Sequence, residues 1–256
     1  SDVCSSDLNF LENSKCTLNN PLQQLFPSTQ KQSTSMQTKY LFDAVLWDMD
    51  GTLVDSEPFW LQSEKDLMAE FDYTWTDEDQ RHCLGGPLLR VGKYMYELAG
   101  HRQSPEYFMH ELTQRTAKAF FSSIKAMPGV AERLEELHQA KIPMALVTAS
   151  PRVMADNVSA ALGSHYFQSI VSTDDVVNSK PDPEGYLKAA DLLGVNIGNS
   201  LILEDSATGV TAARASGARV IAVPHLVKIE SDTQTKVIKS LIELNVDLLS
   251  EFYVNW

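Results

Sequence analysis

The sequence predicts an α/β fold, a doubly wound parallel sheet into which an all-helical domain is inserted. Short apolar runs such as residues 44–47 and 201–203 are bounded by turn residues, as is typical of parallel strands buried on both faces. Between the first and second of these runs, residues 59–125 show helical periodicity and no convincing strand. That long helical block, placed inside an otherwise alternating chain, predicts the insertion.

The predicted strands alternate with predicted helices along the rest of the chain. The strands are residues 42–48, 143–147, 169–171, 201–203 and 219–223. The helices between them are residues 151–162, 184–193 and 207–216. Such alternation favours a parallel sheet with right-handed crossovers.

The predicted helical block has clear internal boundaries. Ser56 is expected to cap a helix that Pro58 begins, and Gly85-Gly86-Pro87 must form a loop between two helices. We therefore divide the chain into a core domain of residues 39–58 and 126–256 and a helical domain of residues 59–125.

Composition limits the possible functions. A formal charge of -13 over 256 residues disfavours a nucleic-acid partner, whose phosphates need a basic face. No apolar run is long enough to span a bilayer, so no membrane partner is expected. Three cysteines provide no disulfide framework and fit a reducing compartment, which predicts a cytoplasmic protein. We expect a monomer.

Residues 1–38 differ from the rest, being rich in Ser, Thr, Gln and Asn without sustained periodicity. The opening residues 2–8 resemble the translation of a common sequencing-adapter oligonucleotide. We expect this segment to be either a disordered tail or a sequence artefact, with Met36 as the natural start. A genuine extension or a transit peptide is the alternative.

Two aspartates, Asp48 and Asp50, follow the first predicted strand. In open α/β sheets, sites lie beyond the carboxyl ends of the strands. Neighbouring carboxylates repel unless a cation or a proton separates them. The pair therefore predicts a metal site, a nucleophile with a proton donor, or both. A strand followed by a polar turn is the alternative, because Asp-Gly is a common turn signal.

Further polar residues are predicted at the same edge of the sheet. Thr148 and Ser150 follow the second strand, Glu204 and Asp205 follow the fourth, and Lys180 lies in a loop. Several carboxylates suit a hard cation such as Mg²⁺, while hydroxyls and an ammonium suit phosphate oxygens. Taken singly, Thr148 could cap a helix, Lys180 could be a solvated lysine, and Glu204 could support another ligand from behind.

Four motifs in this order resemble the haloacid-dehalogenase-like hydrolase superfamily. They are DMDGT (48–52), VTAS (147–150), SKPDP (179–183) and LEDSATG (203–209). The resemblance runs from about residue 41 to the C-terminus and implies a Rossmann-like core with a helical cap. The closest match within the superfamily is the sugar-phosphatase and β-phosphoglucomutase group, and in particular 2-deoxyglucose-6-phosphate phosphatases.

The resemblance also implies roles for individual residues. Asp48 would be the nucleophile, forming an aspartyl-phosphate, and Asp50 the general acid and base. The implied phosphate-binding residues are Thr148, Ala149, Ser150 and Lys180. The implied Mg²⁺ ligands are Asp48, Asp50, Glu204 and Asp205.

The leaving group of the substrate is expected to contact the helical cap. Candidate specificity residues are Gly85, Gly86, Arg90 and Trp60. The loop at Gly85 could equally be a plain connection between helices. The expected substrate is a small phosphorylated sugar or sugar alcohol, with a hexose 6-phosphate or a 2-deoxy analogue as the first choice.

Two alternatives stay open. A β-phosphoglucomutase-like mutase would use a histidine at the position that Trp60 occupies here, which favours a phosphatase. A non-catalytic phosphate-binding protein is disfavoured because Asp48, Asp50 and Asp205 are all present.

Overall fold

Six parallel strands form the central sheet of the computed structural model, in the order β3-β2-β1-β4-β5-β6. The strands are β1 (Ala44–Trp47), β2 (Met144–Val147), β3 (Ser169–Val171), β4 (Ser200–Glu204), β5 (Arg219–Ala222) and β6 (Thr235–Val237). Strand β1 lies between β2 and β4, with Leu46 paired to Ala145 on one side and to Ile202 on the other. The chain moves outward from β1 in both directions, so the carboxyl end of β1 is the switch point where such sheets bind ligands.

The structure describes residues 40–84, 87–121 and 123–256. The predicted tail of residues 1–38 and the predicted specificity residues Gly85 and Gly86 lie outside this part of the chain.

Nine α-helices are present in the described ranges. They are α1 (Glu57–Ala69), α2 (Asp77–Cys83), α3 (Leu88–Leu98), α4 (Pro105–Phe120), α5 (Val130–Gln139), α6 (Arg152–Leu162), α7 (Glu184–Leu193), α8 (Ala207–Ala215) and α9 (Val246–Val254). Within those same ranges, no helix is both long and apolar enough to cross a membrane.

The sheet is covered on both faces, which explains its apolar strands. Val45 and Trp47 point into a cluster with residues of α5, α6 and α9. Leu46, between them, points into a second cluster with α7 and α8. Every residue of β1 and β2 is buried, because successive side chains of a strand reach opposite faces and both faces are packed.

The helical insertion, α1 to α4, has a hydrophobic cluster of its own around Leu67, Met68, Met95, Phe108 and Leu112. Helix α2 begins with a capping box between Thr76 and Asp79, and Ser104 caps α4 by accepting a bond from the Tyr107 N–H. Local capping signals thus agree with the packing of these helices.

The predicted fold class is confirmed, with two differences of detail. Strand β6 was not predicted, because three residues flanked by polar chain carry too little apolar pattern to signal a strand. Ser56 stands at the N-cap position of α1, but its side chain makes no cap bond. Its hydroxyl instead donates a hydrogen bond to Asp50.

Candidate active site

Asp48 is the first residue after β1, and the sheet holds it in place. Its backbone N–H donates to the Leu203 carbonyl of the neighbouring strand, at 3.0 Å. Its carboxylate Oδ1 accepts a hydrogen bond from Lys180 Nζ at 2.6 Å. Both side chains are more than nine-tenths buried, so the contact is an ion pair shielded from water.

Glu204 is the last residue of β4, and it holds the Lys180 ammonium group in position. Its Oε1 accepts from Lys180 Nζ at 2.7 Å and from the Tyr186 hydroxyl at 2.9 Å. Its Oε2 accepts from the N–H groups of Asp205 and Ser206. Both oxygens of this fully buried carboxylate are therefore engaged within the protein, which makes Glu204 a positioning residue for Lys180 in this structure.

Asp205 lies close to Asp48, and unlike Glu204 it has a carboxylate oxygen that accepts no hydrogen bond from the described residues. Its Oδ1 and the Asp48 Oδ2 are buried and have no hydrogen-bond partner among the described residues. One ligand atom from each of Asp48, Glu204 and Asp205 falls within 4.8 Å of the others. Unpartnered buried oxygens are costly, so this pair is suited to a cation held between them.

Gly51 leaves room for this arrangement. It has a φ of +85°, and a Cβ there would lie only 2.1 Å from Asp205 Oδ2. The glycine after the two aspartates is thus required both by its backbone conformation and by the approach of Asp205.

Asp50 is held by three hydroxyl groups. Ser56 Oγ donates to its Oδ1 at 2.5 Å, and Thr148 Oγ1 and Ser150 Oγ donate to its Oδ2 at 3.0 and 2.8 Å. These donors come from the start of α1 and the loop after β2. The carboxyl group is therefore oriented from two sides while the residue stays partly exposed.

The electrostatics of the cluster show an excess of negative charge. Burial, reinforced by the charge of Glu204 and opposed by Lys180, raises the pKa of Asp48 to about 8. Burial, followed by the charges of Asp48 and Glu204, raises the pKa of Asp205 to about 9. Burial alone would lower the pKa of Lys180, but the carboxylates of Asp48 and Glu204 raise it well above its usual value. One lysine does not balance these carboxylates, so a further cation would stabilise their ionised forms.

A cavity opens above the cluster, between the sheet edge and the helical insertion. Its floor includes Asp48, Asp50, Lys180 and Asp205. Its roof is formed by residues of α1, α2 and α3 and by two residues that lie between α2 and α3. They are Glu57, Trp60, Glu64, Cys83, Leu84, Pro87, Leu88 and Val91. The rim includes Thr208 and the segment 225–227.

The structure brings most of the predicted site residues together. Ala149, Ser150 and Lys180 line the cavity, whereas Thr148 contacts Asp50 from outside the lining. Trp60 is in the roof. Arg90 is exposed and lies outside the cavity lining, with its Nη2 3.4 Å from the carbonyl oxygens of Cys83 and Leu84. This geometry gives Arg90 no contact with the cavity.

The sequence did not assign Ser56, Glu57 or Glu64 to the site, although all three line the cavity. Ser56 was interpreted as a helix cap, and Glu57 and Glu64 were not considered. The available signal was the spacing of Glu57, Trp60 and Glu64 at positions i, i+3 and i+7, which places them on one face of α1. That signal alone would not have shown which face is turned toward the sheet.

Comparison with known proteins agrees with this geometry. The family model described as haloacid dehalogenase-like hydrolase matches residues 45–223. Because this is well over half of the chain, the protein belongs to the haloacid dehalogenase-like hydrolase family.

Two relatives and one solved structure illustrate which proteins this chain is similar to. A phosphorylated carbohydrates phosphatase from Thermotoga maritima is 31% identical over 185 residues, covering 72% of this chain and 86% of the relative. Hexitol phosphatase B from Escherichia coli is also 31% identical, covering 74% and 86%. The crystal structure of CbbY from Rhodobacter sphaeroides with xylulose-(1,5)-bisphosphate is 25% identical, with a TM-score of 0.69, covering 79% of this chain and 96% of that one.

These comparisons confirm the predicted resemblance to the family and to its sugar-phosphatase group. They also confirm the predicted class of enzyme, a phosphoric monoester hydrolase.

Proposed function

We propose that this protein is a Mg²⁺-dependent phosphatase that hydrolyses a small phosphorylated sugar or sugar alcohol through an aspartyl-phosphate. The observation that carries the proposal is the Asp48–Lys180 pair at the floor of the cavity, beside Asp205, whose buried Oδ1 has no hydrogen-bond partner among the described residues. The similarity to a carbohydrate phosphatase and a hexitol phosphatase supports the substrate class. A hexose 6-phosphate, its 2-deoxy analogue or a hexitol phosphate is the leading choice.

The donor set fits a magnesium ion. Asp48 Oδ2 and Asp205 Oδ1 are the unpartnered buried oxygens, and the Asp50 carbonyl is the further ligand that the family resemblance implies. Glu204 contributes mainly through Lys180, since its oxygens already accept hydrogen bonds. Bound there, Mg²⁺ would neutralise charge on the transferring phosphoryl group.

Asp48 is the proposed nucleophile. Its carboxylate attacks phosphorus, forming an O–P bond as the bond to the sugar oxygen breaks. Lys180 restrains the carboxylate and offsets negative charge on the approaching phosphate. Ala149, in the cavity wall, is proposed to hold a phosphate oxygen, whereas the hydroxyl and the N–H of Ser150 already donate to Asp50 and to Thr148 Oγ1.

Asp50 is the proposed general acid and base. In its protonated form it gives a proton to the departing sugar oxygen, and it then takes a proton from the water that hydrolyses the aspartyl-phosphate. The hydroxyls of Ser56, Thr148 and Ser150 fix its orientation for both steps.

Residues 59–125 are proposed as a cap domain that closes over the leaving group. Their separate hydrophobic cluster supports this assignment, as does the contribution of α1 and the segment 83–91 to the cavity roof. A closed roof would keep bulk water away from the intermediate. Trp60 in this roof has no titratable group, which favours a phosphatase over a mutase.

Cys83, the only cysteine within residues 40–256, is free and buried, in keeping with a cytoplasmic enzyme.

The test is phosphate release by the full chain, with and without Mg²⁺. The panel comprises glucose 6-phosphate, 2-deoxyglucose 6-phosphate, glucitol 6-phosphate and β-glucose 1-phosphate, with glucose 6-phosphate formation followed separately. We expect Mg²⁺-dependent release from one of the 6-phosphates. Asp48→Asn should lower kcat by about 10⁴-fold or more, whereas Asp191→Asn, at an exposed position on α7, should not.

Two results would overturn the proposal. Near-normal turnover by Asp48→Asn would exclude the covalent mechanism. Isomerisation of β-glucose 1-phosphate without net phosphate release would identify a mutase.

A further inference from the structure

The cavity roof contains a pair of carboxyl groups for which the proposed chemistry has no use. Glu57 and Glu64 lie on α1 on either side of Trp60, and all three line the cavity. Glu64 is 4% exposed, and its Oε2 is buried without a hydrogen-bond partner among the described residues. A buried oxygen of this kind costs stability unless something else bonds to it.

No described residue of the protein donates a hydrogen bond to Glu64 Oε2. Glu57 Oε1 accepts a hydrogen bond from Gln80 Nε2 at 2.5 Å, so Gln80 serves Glu57 rather than Glu64. Cys83 is the nearby polar group on α2, and burial, followed by the charge of Glu64, raises its pKa to about 12. Its neutral thiol is only a weak donor.

The part of the roof that the structure describes also carries no positive charge. No lysine or arginine of the described residues lines it, and Arg90 is exposed outside the lining. Lys180 belongs to the floor, where Asp48 and Glu204 hold it. His225, on the rim, lies 3.7 Å from Asp55. A second phosphate or a carboxylate on the leaving group would therefore meet two carboxyl groups and no described lysine or arginine.

We propose that Glu64, assisted by Glu57, is a specificity-determining residue that hydrogen-bonds the hydroxyl groups of an uncharged polyhydroxylated leaving group. This inference rests on the proposed phosphatase function. The Trp60 ring between them offers an apolar face to the carbon chain of the same group. The arrangement selects polyol and sugar monophosphates and rejects both alkyl phosphates and bisphosphates.

The protonation of the two carboxyls agrees with this role. Burial, followed by the charge of Glu57, raises the pKa of Glu64 to about 8. Burial, opposed by the bond from Gln80, raises the pKa of Glu57 to about 7. At neutral pH Glu64 is mostly a carboxylic acid, which can both donate to and accept from a sugar hydroxyl.

The experiment compares three phosphate esters with the same six-carbon chain. Glucitol 6-phosphate carries hydroxyls, hexyl phosphate carries none, and glucitol 1,6-bisphosphate carries hydroxyls and a second phosphate. For the wild type we expect kcat/KM on glucitol 6-phosphate to exceed that on each of the others by at least about tenfold, because a site built to bind hydroxyls rejects analogues lacking them.

Variants assign the preference to Glu64. Glu64→Leu should raise KM for glucitol 6-phosphate about tenfold or more with a smaller change in kcat, and leave KM for hexyl phosphate within about threefold of the wild-type value. Unchanged hydrolysis of hexyl phosphate also shows that the variant folds. Glu64→Gln keeps a donor and an acceptor, so its KM for glucitol 6-phosphate should stay within about threefold. Asp66→Asn, the same carboxyl-to-amide replacement on the exposed face of α1, is the matched control for Glu64→Gln and should match the wild type.

Distinct results would overturn the inference. A Glu64→Leu variant that raises KM for both esters, or for neither, would remove Glu64 from leaving-group recognition. A wild type that hydrolyses hexyl phosphate or the bisphosphate as well as glucitol 6-phosphate would refute the specificity and leave the phosphatase function intact. Failure to hydrolyse any of the three, together with no phosphate release from glucose 6-phosphate or 2-deoxyglucose 6-phosphate, would overturn both.

Discussion

Gly51 and Asp205 approach each other so closely that no side chain fits between them. A Cβ at residue 51 would lie 2.1 Å from Asp205 Oδ2 and 2.7 Å from its Cγ. The contact joins the turn after β1 to the residue after β4, across 154 positions of the chain. It couples the backbone of the DMDGT motif to the position of a proposed metal ligand.

Gly51→Ala should therefore displace Asp205 and lower kcat/KM by about a hundredfold, since misplacing a catalytic group by an ångström has that cost. Gly100→Ala is the matched control, because Gly100 also has a positive φ, +66°, but a Cβ there has no neighbour within 4 Å. That variant should lose only about 1–2 kcal/mol of stability and keep its activity. Phosphate release measures the activity of both variants, and chemical denaturation measures their stability. Equal activity in the two would contradict the coupling.

The Asp205 carboxylate should set the affinity for Mg²⁺. Removing its charge in Asp205→Asn weakens a hard-cation site that depends on carboxylate oxygens, so the Mg²⁺ concentration for half-maximal activity should rise about tenfold or more. Asp191→Asn, at an exposed position, serves as the control. Magnesium titrations of phosphate release provide the measurement. If Asp205→Asn needed no more Mg²⁺ than the wild type, Asp205 would not be a ligand.

Ser56 should act on catalysis and not on the helix that follows it. Its hydroxyl donates to Asp50 and makes no cap bond, so Ser56→Ala should lower kcat about tenfold, in proportion to one charge-assisted hydrogen bond. Ser104 provides the reverse case because its side chain does cap α4. Ser104→Ala should cost about 1 kcal/mol of stability without changing kcat. The assignment fails if Ser56→Ala loses stability alone.

Burial of Glu64 should make stability dependent on pH. The pKa of Glu64 is about 8 in the folded chain, against an ordinary 4.5, so between these values the folded state binds more protons than the unfolded state. The free energy of unfolding therefore falls as pH rises through that window. Glu64→Gln cannot ionise, and from pH 5 to 8.5 its stability should rise relative to wild type by roughly 2–5 kcal/mol.

Denaturation at several pH values gives this difference. Comparison with Glu64→Gln cancels the groups that do not interact with Glu64, whereas Glu57 and Cys83 face Glu64 and are coupled to its charge, so any change in their titration is part of the difference. Asp66→Asn should follow the wild-type pH dependence. A constant difference between wild type and Glu64→Gln across the range would show that Glu64 is not buried as described.

Local patterns determined much of this protein from the sequence. Apolar runs indicated five of the six strands, and the predicted helix of residues 184–193 is α7 (Glu184–Leu193). Asp48, Lys180 and Asp205 could be predicted to meet because parallel strands bring their carboxyl ends to one edge. The sequence shows directly which residues follow each strand, and so which residues meet at that edge.

Only the tertiary structure decided which partners these side chains take. Both oxygens of Glu204 accept bonds within the protein, Ser56 turns to Asp50, and Glu64 is enclosed in the cavity roof. Each outcome depends on how α1 and the loops pack over the sheet, which joins residues far apart in the chain. Helical spacing shows that Glu57, Trp60 and Glu64 share a face, but burial, which sets their chemistry, arises only when that face meets the rest of the molecule.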